Sequence, residues 1–144
     1  MKKLIALAAF AALAACGQKE AAAPSSAPAA GAQTAQAETP STPEARGKRQ
    51  FNECAACHPA AADKGHMVGP NLYGVIGRTA GTAEGFSYSR AMKDSGIIWT
   101  EETLDGYIEN PQAYLPGNRM SFAGQRDAQK RADIIAYLKS ISAN

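Results

Sequence analysis

The residues that most restrict this chain are Cys54-Ala55-Ala56-Cys57-His58, two thiols one helical turn apart with an imidazole directly after the second. Three chemistries use such a pair. A structural zinc site needs four ligands, commonly two such pairs; the remaining cysteine, Cys16, lies far upstream, and the histidines on offer are His58 and His66. A thiol-redox pair of the thioredoxin kind expects a strand before it and a βαβ pattern around it, and strand signals here are sparse. The third reading is covalent, because C-x-x-C-H is the sequence to which a c-type haem is attached. One helical turn sets the two thiols at the separation of two vinyl groups and puts His58 beneath the iron.

The rest of the chain has room for such a group and a need for it. Thr42-Pro43-Glu44 is a good helix start, with a hydroxyl cap, proline at the first helical position and an acid in the first turn. That helix should run into the cysteines. A short helix is expected over "SYSRAMKDSG", ended by Gly96. Another starts at the cap Thr100 and stops at Asn110, because Pro111 disfavours helical geometry in the residue before it. A last helix, from about Asp127, puts Ile134, Tyr137, Leu138 and Ile141 on one face. The prediction is an all-α domain of four to five short helices and long glycine-rich loops, with 4 Phe, 1 Trp and 5 Tyr in the whole chain. About 100 residues with so little regular structure make a marginal core by themselves, so something large and apolar should fill the centre.

An iron held by His58 needs a second axial ligand, or an open face if it is to do chemistry. Met120 sits in "YLPGNRMSFAG", where Pro116 and Gly117 force a loop able to wrap the far side of a haem. His66 and Met67 follow His58 so closely that the chain would have to round the haem edge within eight or nine residues. Met92 falls on an expected helix, where methionine more often fills core.

The N-terminus reads as an address. "MKKLIALAAFAALAAC" has two lysines and then an apolar run shorter than the roughly 20 residues a spanning helix needs. Its end, "LAAC", resembles the bacterial lipobox, which implies cleavage before Cys16 and its lipidation. Residues 1–15 are then a lipoprotein signal peptide. Residues 16–43, rich in Ala, Pro, Ser, Gln and Thr, are expected to be a disordered tether, since they cannot bury enough apolar surface to offset ordering entropy. Residues 44–144 form the folded domain. Formal net charge is +2, with 15 Lys plus Arg against 13 Asp plus Glu; removing Lys2 and Lys3 with the signal leaves 13 of each. No basic arm is present, which argues against nucleic acid as a partner.

The run from "GPNLYGVIGRTAG" through "IIWTEETLDGYIENPQAYLPGNRMSFAG" to "RADIIAYLKS", together with CAACH, closely resembles class I cytochromes c of the mitochondrial and bacterial cytochrome c2 type. The likeness covers about residues 45 to 142. It implies a small all-α fold in which the terminal helices cross and one covalent haem is buried except for an edge. Gly47 matches the small residue at the crossing and Tyr137 the aromatic packed near it. Pro70 matches the proline whose carbonyl accepts the axial histidine's ring N–H. Arg78, Tyr88 and Trp99 match haem-propionate contacts, Tyr107 the tyrosine near the ligand sulfur, and Phe122 the aromatic beside the exposed edge. Asn118 replaces a common threonine near a propionate, where its amide can donate the same bond. Gln112 and Ala113 stand where mitochondrial members carry lysines, Glu53 precedes the first cysteine, and Met92 takes a place often held by asparagine.

With His58 and Met120 as axial ligands, the resemblance implies an electron carrier rather than an enzyme. The expected protein is a membrane-tethered monomer in the bacterial periplasm, carrying single electrons from a cytochrome bc1-type, quinol-oxidising donor to a terminal oxidase or reductase. Gly17 after Cys16 resembles an outer-membrane address, which leaves the membrane open. The alternative is a haem peroxidase or ligand sensor in which Met120 is displaced.

Overall fold

The computed structural model describes residues 42–142; the signal peptide, Cys16 and all but the last residues of the tether lie outside them. The first helix, α1 (Pro43–Gln50), opens as its sequence demands: the Thr42 hydroxyl accepts from the Ala45 N–H and proline stands in the first turn. Phe51 keeps helical dihedrals (φ −58°, ψ −15°) and passes the chain into α2 (Asn52–Ala55), so the helix does reach the first cysteine.

From Ala56 to Ser89 the backbone is irregular. A buried side chain organises it: Asn71 Nδ2 donates to the carbonyls of Ala61 (2.7 Å) and Lys64 (2.6 Å), and Asn71 Oδ1 accepts from Tyr73 N–H (2.9 Å). One antiparallel bridge, Thr79 to Ile98, is the β pairing among the described residues. The short α3 (Arg90–Asp94) is capped by Ser89. A reciprocal box between Thr100 and Thr103 starts α4 (Glu101–Glu109), and α6 (Ala128–Ser140) begins where Asp127 accepts from Gln129 and Lys130. Between them lies α5 (Pro111–Tyr114), which sequence periodicity does not reveal because one turn is too short to show a period. Pro111, which stops α4, also starts α5, with the Asn110 side chain accepting from Ala113 N–H.

Helices α1 and α6 cross at Gly47. A Cβ there would overlap the carbonyl of Asp133 and come within 2.9 Å of Tyr137 Cβ, so the backbones meet only because glycine has no side chain. Just beyond, the rings of Phe51 and Tyr137 pack with centroids 5.3 Å apart. The predicted apolar face of α6 is present, with Ile134 and Leu138 buried, but Arg131 and Asp133 are buried as well. Arg131 pairs with Asp105 (2.8 Å). Asp133 takes two bonds from Arg46, Nε at 2.9 Å and Nη2 at 2.7 Å, and further ones from Gln50 and Gln129.

Hydrogen bonding from Arg46 holds the Asp133 carboxyl below the usual aspartate range, against the opposing effect of burial. A depressed folded-state pKa gives stability that is complete above the unfolded value of about 4 and lost as pH falls through the folded value. Asp133→Asn should therefore lower stability at pH 7 by about 1.5–3 kcal/mol and flatten the acid limb of the stability curve. Urea melts of both proteins between pH 7 and pH 2 check this; parallel limbs would rule the pairing out as an acid-labile element.

The buried hydrophobic residues form one cluster arranged around an opening. All of them except Ala80 and Ile135 line one cavity of about 590 Å³. The core is a shell.

Candidate functional site

The cavity's first wall is built where α2 ends. Cys57 N–H and His58 N–H both turn back onto the Cys54 carbonyl (3.0 and 2.9 Å), which brings Cys54, Cys57 and His58 to one side of a single turn. All three line the cavity, with Cys57 exposed and Cys54 and His58 half-buried. The chain then returns over His58: Gly69 N–H donates to the Cys57 carbonyl (2.9 Å) and Leu72 N–H to that of Pro59 (2.8 Å). This sets Pro70 beside the imidazole, where His58 Nδ1 donates to the Pro70 carbonyl at 2.8 Å. A carbonyl only accepts, so Nδ1 carries the proton and Nε2 keeps a free lone pair. Burial lowers the His58 pKa, and the bond to Pro70 acts in the opposite direction. Burial thus favours the neutral imidazole, and the bond to Pro70 fixes the tautomer and orientation that a metal ligand needs.

The thiols are unbridged. Burial, then the nearby Glu53 and Cys57, pushes Cys54 up to about 11. Redox-active C-x-x-C pairs work with depressed thiol pKa values, a shift in the opposite direction. Zinc fares no better, since among the described residues no three His, Cys, Asp or Glu side chains are placed to hold one ion.

Of the residues singled out from sequence, Pro70, Arg78, Tyr88, Trp99, Tyr107, Met120 and Phe122 all line the same cavity. Arg78 is steadied by the carbonyls of Asn71 (Nη2, 2.9 Å) and Tyr73 (Nη1, 3.3 Å); burial lowers its pKa, and burial raises that of Tyr88 against the favourable charge of Arg78. Trp99 and Tyr107 are buried with ring centroids 5.0 Å apart, and burial pushes Tyr107 up to about 12. Asn118 is not among the lining residues. It is buried behind the wall, both amide hydrogens going to backbone carbonyls, Pro111 at 2.8 Å and Leu115 at 2.8 Å.

Of the alternative ligands, His66 and Met67 lie elsewhere. His66 Nε2 bonds the Glu84 carbonyl (2.7 Å) and its Nδ1 accepts from Asn71 N–H (3.0 Å), so both ring nitrogens are occupied away from the cavity. Met67 is exposed and does not line it. Met92 is core, as expected of a helical methionine, but it is core that faces the cavity.

Other lining residues carry no signal at the level of motif. Leu72 and Val75 were legible only as apolar residues in a glycine-rich loop, and Arg119, whose guanidinium bonds the Ser87 carbonyl, gave none. Gly69 is a residue whose role only the packing reveals. A Cβ on it would stand 2.6 Å from His58 Nδ1 and 2.7 Å from Nε2, so the imidazole lies flat against bare backbone.

The cavity therefore presents two thiols, an imidazole and two thioethers within a mostly apolar lining, a donor set that suits a large apolar group carrying a metal. Comparison with known proteins points the same way. The sequence matches the Cytochrome c family over residues 44–142. It is 50% identical over 108 residues to cytochrome c of Chlamydomonas reinhardtii, covering 74% of this chain and 96% of that one. Against cytochrome c2 of Blastochloris viridis it is 48% identical over 100 residues, covering 69% and 79%. The structure of cytochrome cH from Methylobacterium extorquens superposes with a TM-score of 0.64 at 41% identity, over 67% of this chain and 97% of that one.

Proposed function

The chain belongs to the cytochrome c family, whose members are electron carriers that bind one covalent haem c, and from that premise we propose that it is a membrane-tethered single-electron carrier with His58 and Met120 as axial ligands. What carries the reading is one cavity lined at once by Cys54, Cys57, His58 and Met120. Bound there, a haem supplies reversible one-electron chemistry at its iron.

The protein's own groups set the conditions. Cys54 and Cys57 hold the macrocycle by thioethers, so that it is not lost outside the cytoplasm. His58 presents Nε2 while Pro70 keeps the ring from turning. The Met120 sulfur, a soft donor, favours the reduced state and raises the potential. Arg78, Tyr88 and Trp99, which line the cavity, would bind the haem propionates, and Tyr107 would pack by the Met120 sulfur. Phe122 stands by the edge through which electrons pass, in brief contacts that typically bury less than about 1,200 Å². Ligation by both His58 and Met120 would leave little to rearrange between the two oxidation states and no open site for a substrate.

Lipidation at Cys16 and a tether over residues 16–43 would confine the domain near a periplasmic membrane surface, raising its effective concentration for co-anchored partners. Among the described residues no helix is long and apolar enough to cross a membrane. The partners that fit are a quinol-oxidising, bc1-type donor and a terminal oxidase or reductase.

Correctly exported protein should carry the added mass of one haem, show a far-red sulfur-to-iron charge-transfer band when ferric, and bind no carbon monoxide at neutral pH. Met120→Ala should abolish the band and open the iron to carbon monoxide. A high-spin ferric spectrum in the unaltered protein would instead support the peroxidase or sensor alternative. Stopped-flow mixing of the reduced protein with membranes from the same cells, with and without Cys16→Ala, tests the tethering.

A further inference from the structure

Two departures from the family pattern, Gln112 and Asn118, converge on the backbone of Met120. The Met120 N–H donates to Asn118 Oδ1 at 2.8 Å, and the Met120 carbonyl accepts from Gln112 Nε2 at 2.8 Å. The two side chains also meet, Gln112 Nε2 lying 3.4 Å from Asn118 Oδ1. Asn118 is itself anchored, because its Nδ2 spends both hydrogens on the carbonyls of Pro111 and Leu115, at the two ends of α5. Gln112 rises from α5 as well. Met120 is thus gripped from one helical turn, at its N–H through the buried Asn118 and at its C=O by Gln112.

We infer that Gln112 and Asn118 form a clasp that holds the Met120 backbone, making both positioning residues for the ligand sulfur. The inference rests on Met120 being the axial ligand. It gives Asn118 a task other than donating to a propionate, since neither amide hydrogen remains to donate. A hydroxyl at this place has one hydrogen, so it caps one of the two carbonyls at most while accepting from Met120. The clasp works against opening: before Met120 leaves the iron and an external ligand enters, the 118–120 loop must break its bonds to α5. In kinetic terms it slows ligand entry, which keeps a carrier from behaving as a peroxidase or sensor.

The test uses full-length ferric holoprotein with cyanide as the entering ligand and hydrogen exchange at the Met120 amide as a second readout. Asn118→Ala should raise the cyanide association rate about tenfold and Gln112→Ala about threefold, the sizes expected for losing a buried and an exposed hydrogen bond. Asn118→Thr should fall between Asn118→Ala and the unaltered protein. The Met120 amide should exchange faster in each variant, while amides in the middle of α6 keep their rates. The clasp is overturned if cyanide entry and Met120 exchange stay within twofold in Gln112→Ala and Asn118→Thr, or if α6 amides quicken as much as Met120. Should Asn118→Ala fail to accumulate, those two variants decide the matter alone. A missing far-red band in the unaltered protein would sink the ligation reading, whereas faster Met120 exchange in the variants would still establish the clasp.

Discussion

Gly69→Ala is expected to strip the protein of its normal axial ligation. The new methyl would lie 2.6 Å from His58 Nδ1 and 2.7 Å from Nε2, closer than side-chain carbons pack, so either the imidazole or the 67–70 backbone must move. If the imidazole moves, its 2.8 Å bond to the Pro70 carbonyl breaks; if the backbone moves, the Gly69 N–H bond to Cys57 goes with it. Overpacking costs about 1–3 kcal/mol, and a lost hydrogen bond adds roughly 1 kcal/mol. Exported Gly69→Ala should yield less haem-loaded protein, with a weakened or absent far-red band and a urea midpoint displaced by that sum. Gly69→Val should give almost no holoprotein. Gly65→Ala is the control, since a Cβ at Gly65 meets nothing within 4 Å. If Gly69→Ala and Gly65→Ala have the same spectra and midpoints, the contact with His58 is not a constraint.

An effect at least as large is expected at the helix crossing. In Gly47→Val the added Cβ would overlap the Asp133 carbonyl and press on Tyr137, and both neighbours belong to helix backbone or its root. A flexible side-chain end could swing away; these cannot. Helices α1 and α6 must separate, which also pulls Arg46 from Asp133 and Phe51 from Tyr137. The cost should reach about 3 kcal/mol, the upper end for overpacking, out of the roughly 5–15 kcal/mol by which domains are stable. Urea denaturation of the holoprotein, followed by far-ultraviolet circular dichroism, measures it. A change under about 0.5 kcal/mol would mean the helices do not meet at Gly47.

The contrast between these two glycines and the cysteine motif says what kind of information a sequence holds. Cys54, Cys57 and His58 were legible because the spacing is local and its chemistry is limited to a few ligands. The helix starts at Thr42, Thr100 and Asp127 were legible for a similar reason: a cap binds N–H groups two or three residues away. Gly47 and Gly69 stood out only through resemblance or not at all, because what each excludes lies across the fold. Likewise nothing local marks Asp133 as buried; an acid on an amphipathic helix normally faces water, and here Arg46, 87 positions earlier, draws it inward.

Asn118 shows the same limit within the site. Its residue type allowed a donor to a propionate, and its position near Met120 was plain. Which acceptors its two hydrogens take was decided by α5, a single turn too short to leave a periodic trace, which places two carbonyls within 2.8 Å of them. The expectation of Met120 rather than His66 as a ligand, in contrast, could be argued from the chain itself, since Pro116 and Gly117 force a loop, and in the fold both His66 nitrogens are hydrogen-bonded elsewhere.

By itself, then, the order of residues determined the C-x-x-C-H spacing, the all-α class and the starts of α1, α4 and α6, because these depend on groups a few bonds or one turn apart. Tertiary structure alone decided that the apolar residues surround a cavity, that a Cβ at Gly69 would meet His58, and that Gln112 and Asn118 bond the backbone of Met120. Those are consequences of distance in space between residues distant in sequence, and hard-core repulsion and hydrogen bonding act only at the separations the folded chain sets.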